Sequence, residues 1–386
     1  MHVENVVCIL AYIHTHHENT NSMSTAFEYV FPAIRGIQAG REYYTSMCPL
    51  KLIPRLFTFD DEELVPELRA QRILNKNRIP DMSQYLVENP KDYVFSAITA
   101  SIDGKVDFQP YGADGEISRI GTLKIDMNSQ FIINDGQHRR AAITEALKAE
   151  PRLGDETISV VFFVDKGLKR CQQMFADLNR YAVRPSKSLG LLYDHRDDSA
   201  QITKLLAIKS EAFGDLVEME KSALSTRSRK LFTLSAIHYA NNALLKNRQL
   251  ESIEQAAKVS IEFWDEAGKH IQEWKLAKEG KVTAGEIRRD FVHCHAILLQ
   301  ALGVMGNALF DLPKAERQEK LALLKKIDWR RSNSKAWEGR AMSGGHMQKS
   351  GNNVALTAAY LKKRLRLKLS PEEKQIEAAL KRGNHG

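Results

Sequence analysis

Residues 131–142 read FIINDGQHRRAA. A short apolar run, Phe131–Asn134, ends in Asp135-Gly136, and alanines follow that open a helix. The pattern predicts a strand, a tight turn and a helix over 137–149. Asp135, Gln137, His138, Arg139 and Arg140 then crowd one strand-to-helix turn. The first backbone N–H groups of a helix have no internal partners, so such a turn suits an anion or a phosphate.

Each residue has a chemical use there. Asp135 stands where an N-cap belongs and can accept from a backbone N–H. Gly136 permits a tight turn and close approach of a ligand to the backbone. Gln137 offers an amide donor and acceptor, and His138 exchanges a proton near neutral pH. Arg139 and Arg140 can fork onto phosphate oxygens, but as helix neighbours they point in different directions, so one of them faces a ligand. The plain alternative is a capped helix with exposed arginines, and composition does not choose between the two.

Around this turn the texture alternates between strand and helix. Phe27–Phe59 is rich in β-branched and aromatic residues cut by Gly and Pro. Tyr93–Ile102 reads as a buried strand. Ile120–Asp126 is expected to pair with Gln130–Asn134 as a hairpin across Met127-Asn128-Ser129. Thr157–Asp165 (TISVVFFVD) is apolar throughout and suits the middle of a sheet. Residues 61–76, 81–88 and 168–179 read as helices. The last is followed by the basic loop RYAVRPSKSLG. Asn179, Arg180, Arg184 and Ser186 in and beside that loop are further phosphate-binding candidates. If strands 130–134 and 157–165 are neighbours, both loops face one cleft. No metal site is predicted, and Asp126, Asp135 and Asp177 are the carboxylates that would have to converge to make one.

After about residue 190 strand texture nearly vanishes. Segments 199–213, 230–248, 252–277, 284–310, 313–327 and 353–382 show helical spacing. The expected fold is an α/β domain over 25–195, a mixed sheet with flanking helices, followed by an all-α domain over 196–386. Residues 1–24, which hold His14, His16 and His17, read as a disordered leader, with Met23 as a candidate start.

The four cysteines lie far apart and form no CxxC, so neither a zinc site nor a disulfide framework is indicated. Buried free thiols are the plain reading, and Cys48, between Met47 and Pro49, is the redox candidate. No apolar run approaches the ~20 residues of a membrane helix, and a cytoplasmic location without membrane contact is expected. The net charge of +8 is unevenly placed. Residues 330–386 hold 13 Lys/Arg against 4 Asp/Glu, a net of +9, while the rest of the chain sums to −1. A confined basic patch suits a polyanion. Candidate DNA contacts are Arg227, Arg229 and Lys230, expected to open a long helix, and Lys349, Lys362, Lys363, Arg364 and Arg366 in the tail. The alternative is a solvated helix face.

Asp135–Arg139 matches the signature of the DGQHR-domain proteins. Phe31–Phe57 and Phe175–Asp197 resemble the DndB family of DNA sulfur-modification proteins. The resemblance implies a ParB/sulfiredoxin-like fold in which this turn binds nucleotide phosphates. It implies a regulator that binds the promoter of the modification genes, with double-stranded DNA and other modification proteins as partners. A nucleoside triphosphate is the candidate ligand, self-association is a further candidate, and a DNA-binding cysteine of some members is carried over to Cys48. Two functions stay open. One is a non-catalytic DNA-binding regulator. The other is a nucleotide hydrolase or DNA-nicking component, with Asp135 or His138 acting on water and Arg139 stabilising phosphoryl charge.

Overall fold

The computed structural model describes residues 27–57, 75–165, 170–180 and 185–383. The leader, Met23, Arg184 and most of the helix expected over 61–76 lie outside the described residues. The chain divides into two compact units, residues 1–183 and 184–386.

The first unit is mixed α/β. Its strands are β1 (Glu28–Gln38), β2 (Arg41–Pro49), β3 (Ile98–Asp103), β4 (Val106–Pro110), β5 (Ile120–Asp126), β6 (Gln130–Asp135) and β7 (Thr157–Val164). They form one seven-stranded sheet in the order β4-β5-β1-β2-β7-β3-β6. All pairings are antiparallel except β3 with β7. Its longer described helices are α1 (Ile79–Glu88), α2 (Gln137–Ala149) and α3 (Cys171–Arg180), and a single turn, Ile53–Leu56, follows β2.

The expected hairpin between β5 and β6 does not form. Both edges of β5 are taken, by β1 and β4, whereas β6 pairs with β3 from Asp103↔Gln130 to Thr99↔Asp135. The turn itself is present: Ser129 N–H donates to the Asp126 carbonyl (2.9 Å), and Asn128 N–H donates to the Asp126 carboxylate (2.8 Å). It is a corner that carries the chain from one end of the strand order to the other. β3 and β4 lie near opposite ends of that order yet are joined through Gly104 and Lys105, so the sheet curls. Accordingly Phe131 of β6 meets Tyr29 of β1 (5.9 Å) and Phe162 of β7 (6.2 Å). The concave face buries Phe31, Leu123, Ile133 and Phe162 with Ile143 and Ala146 of α2.

Two other strand expectations change. β7 does lie inside the sheet, between β2 and β3. Strands 130–135 and 157–164 are not neighbours, because β3 lies between them. The strand expected over 93–102 starts only at Ile98, and the Ala97 carbonyl accepts from Arg139 (3.0 Å).

The second unit is mainly helical: α4 (Lys187–Tyr193), α5 (Asp198–Lys209), α6 (Leu234–Leu245), α7 (Ile253–Lys269), α8 (Gln272–Lys278), α9 (Ala284–Asp290), α10 (Ala296–Asn307), α11 (Lys314–Leu321), α12 (Gly351–Arg364) and α13 (Pro371–Gly383). α10 is buried on nearly all sides, as befits a helix apolar all round. Gly303 lets it approach α6: a Cβ there would stand 2.0 Å from the Ala240 carbonyl oxygen. Trp329 and Trp337 stack at 5.6 Å in the core.

Strand is not wholly absent from this unit. Val217–Glu218 pairs in parallel with Phe232–Thr233, and Met342–Ser343 pairs with His346–Met347. The helix expected over 284–310 breaks at 291–295, because Phe291 bridges to Arg330 and Val292 N–H donates to the Trp329 carbonyl (2.9 Å). Ser225–Lys230 does not open a helix. α6 begins at Leu234, where Thr233 Oγ1 accepts from Ala236 N–H (3.2 Å).

Candidate functional site

β6 ends at Asp135 and α2 begins at Gln137, so the quoted stretch folds as strand, single-residue turn and helix. Gly136 is the hinge. It takes φ +108°, a conformation that disfavours side chains, and occupies the N-cap position without a side-chain cap. Asp135 is therefore not the N-cap. It stays in the ladder opposite Thr99, and its carboxylate accepts from Arg139 Nη2 (2.8 Å) one helical turn on. The same Nη2 donates to the Ala97 carbonyl, so Arg139 ties the helix start to both β6 and the approach to β3.

The remaining residues of the turn are also engaged. His138 Nε2 accepts from the Asn75 backbone N–H (3.1 Å), which places its proton on Nδ1. Burial lowers the His138 pKa, and Arg78 and Arg139 lower it further against a smaller opposing pull from Asp135. Arg140 Nε donates to the Phe57 carbonyl (3.0 Å), and burial lowers its pKa. Gln137 is buried. On the opposite face of β6, Asn134 donates to Ser101 Oγ (2.7 Å), and Cys171 of α3 donates its thiol to Asn134 Oδ1 (2.6 Å).

The second cluster is divided. Asn179 and Arg180 end α3 in the first unit. Ser186 belongs to the second unit, where it caps α4 by accepting from Leu189 N–H (3.0 Å) and donates to the Glu220 carbonyl. The three carboxylates considered for a metal are each engaged locally. Asp126 serves its turn, Asp135 holds Arg139, and Asp177 accepts from Gln173 (2.7 Å). Among the described residues no group of three His, Cys, Asp or Glu is placed to hold a metal ion. Cys48 follows the plain reading and not the redox one: the residue is fully buried, and burial pushes its pKa up to about 12. Such a thiol is a core side chain and not a ready nucleophile.

The candidate DNA contacts of the second unit differ among themselves. Arg227 and Arg229 are exposed on a loop whose shape is set by Arg288. That guanidinium donates to the carbonyls of Ser225 (2.6 Å), Thr226 (3.3 Å), Ser228 (3.2 Å) and Lys230. Lys230 Nζ donates to the Asp215 carbonyl (2.7 Å). In the tail, Lys362 pairs with Glu373 (2.5 Å), and the buried Glu377 takes both Lys363 and Arg340. Arg364 lies over the Tyr360 ring (5.9 Å), and Arg366 is exposed beyond the end of α12. Lys349 Nζ lies 4.5 Å from the centre of the Tyr239 ring. Arg288 and Tyr239 were not legible as site residues: each sits within a helix, and its partners come from distant segments.

A family model described as DndB, DNA-sulfur modification-associated, matches residues 31–368. The chain belongs to the DndB family. The match spans both units, so this DndB-family chain is tied to DNA sulfur modification through the helical unit as well as the α/β unit. No curated protein and no solved structure matches the chain.

Proposed function

We propose that this DndB-family chain is a cytoplasmic DNA-binding regulator of a DNA phosphorothioation gene cluster, acting on promoter DNA and on other modification proteins without catalysis. One observation carries the reading: the second unit exposes Arg227, Arg229 and Lys349, which have no acidic partner among the described residues. Cations left unpaired in a family tied to DNA modification suit phosphate contacts. The first unit, taken as ParB/sulfiredoxin-like, holds a small phosphate ligand such as a nucleoside triphosphate at the start of α2, which no side chain caps.

The hydrolase reading is disfavoured by the same turn. A general base needs a free lone pair, and that of His138 Nε2 accepts a backbone N–H. Asp135 is neutralised by Arg139. The test is a titration of labelled promoter and random duplex over a range of salt, with and without ATP, GTP and CTP. Promoter DNA is expected to bind more tightly than random DNA, with a steep salt dependence. Equal binding of both duplexes at moderate salt overturns the regulator. Phosphate release is expected at the same background rate in wild type and Asp135→Ala; a rate lost in the variant would favour the enzyme.

A further inference from the structure

Lys187, the first residue of α4, and Lys349, just before α12, converge on one side chain of α6. Lys187 Nζ donates to the Tyr239 hydroxyl oxygen (3.3 Å) and lies 5.6 Å from the ring centre. Lys349 Nζ lies 4.5 Å from the same centre. Neither lysine has an acidic partner among the described residues, and Tyr239 is itself exposed. Loss of water lowers the Lys349 pKa, and the neighbouring Lys187 lowers it further.

Two ammonium groups gathered on one ring repel each other. A cation–π contact explains one of them but does not call for the second. Where two cations share a ring elsewhere among the described residues, one of them is paired with a carboxylate: Arg340 beside Arg364 on Tyr360 pairs with Glu377, and Arg248 beside Arg317 on Phe310 pairs with Asp311. Among the described residues neither lysine of the Tyr239 pair has such a carboxylate. The α12 N-terminus beside Lys349 adds its own positive end.

We propose that Lys187, Lys349 and Tyr239 form a clamp for one phosphodiester of the DNA backbone. The two ammonium groups contact its non-bridging oxygens, and the Tyr239 hydroxyl, which already accepts from Lys187, donates its proton to the same group. The clamp rests on the DNA-binding reading above and adds a site to it. It reads charge and not base identity, so it anchors any duplex and leaves sequence choice elsewhere.

The test measures binding of promoter and random duplexes by the full chain against salt. In Lys187→Gln/Lys349→Gln, affinity for both duplexes is expected to fall alike. The slope of log affinity against log salt should shrink by about two, one for each lysine. Lys187→Arg/Lys349→Arg should keep the wild-type slope, and Tyr239→Phe should weaken binding with the slope intact. Lys187→Gln alone, expected to lose about one in slope, provides a milder variant if the double one melts early. A Gln double variant that melts like wild type and keeps its slope overturns the clamp, as it would if an acidic protein segment were the occupant. Failure of the wild type to bind any DNA overturns the DNA-binding reading itself, a result separable from the first because it does not depend on these variants.

Discussion

Gly136 decides the geometry of the candidate site at the level of a single residue. Its φ of +108° turns β6 into α2 within one position, and a Cβ there would meet Ile98 Cγ1 at 3.0 Å and Arg139 Nη2 at 3.1 Å. The first contact presses on the core and the second on the guanidinium that bridges Asp135 and Ala97. Gly136→Ala is therefore expected to lower stability by about 1–3 kcal/mol, the usual cost of a side chain in such a conformation. Urea unfolding followed by fluorescence measures this; a variant as stable as wild type would mean that the turn is not held as described. The glycine, the capping region and the alanines were legible in the sequence, since strand, turn and helix are local choices. The Asp135–Arg139 pair was not, because a carboxylate before a helix is equally suited to capping, and only the glycine conformation removes Asp135 from that role. The redox role carried over to Cys48 fails for a related reason: the burial that rules it out depends on segments far from it in sequence.

Among the elements, the register of β6 and the break between α9 and α10 show where sequence reading stops. Alternation and apolar runs mark strands, but which strands pair depends on edges already taken, as with β5. Likewise the apolar spacing through 284–310 continues across 291–295, where the Phe291 bridge to Arg330 overrides it. That break buries His293 fully and His295 in part. His293 Nδ1 accepts from Trp274 Nε1–H (3.0 Å), and His295 Nε2–H donates to the Arg288 carbonyl (2.9 Å). Burial drives both pKa values down from the ordinary 6.5, that of His295 to about 4. The folded protein keeps them neutral while the unfolded chain takes up protons below 6.5. Their contribution is thus fully present above pH 6.5 and is lost on the acid side; for His295 it is lost as pH falls towards 4, by up to about 3 kcal/mol. Urea midpoints should be flat above neutrality and fall on the acid side, and His295→Gln, which retains a donor for the Arg288 carbonyl, should flatten part of that fall. An acid limb identical in the variant would show that His295 does not titrate this way.

Over the whole molecule, charge is the property that sequence and structure apportion differently. The net of +9 in residues 330–386 suggests a uniformly basic tail. The fold instead pairs Lys362 with Glu373, and Lys363 and Arg340 with Glu377, drawing the basic face of α12 onto the acidic first half of α13. Ion pairs formed within the protein release no counterions when DNA arrives, so formal charge overstates the grip on phosphate. Arg227 and Arg229 contribute less to the sequence pattern than the tail does, yet they are exposed on the loop that Arg288 holds in shape. Lys362→Gln/Lys363→Gln should accordingly lower the melting temperature, because it leaves the buried Glu377 with fewer partners. It should leave the salt slope of DNA binding close to that of wild type. Arg227→Gln/Arg229→Gln should do the reverse, keeping the melting temperature and lowering the slope by about two. Melting curves and salt-dependent titrations on the two double variants separate these outcomes. A slope that falls with the tail lysines and not with the loop arginines would place the DNA contact on α12 and overturn this division of charge.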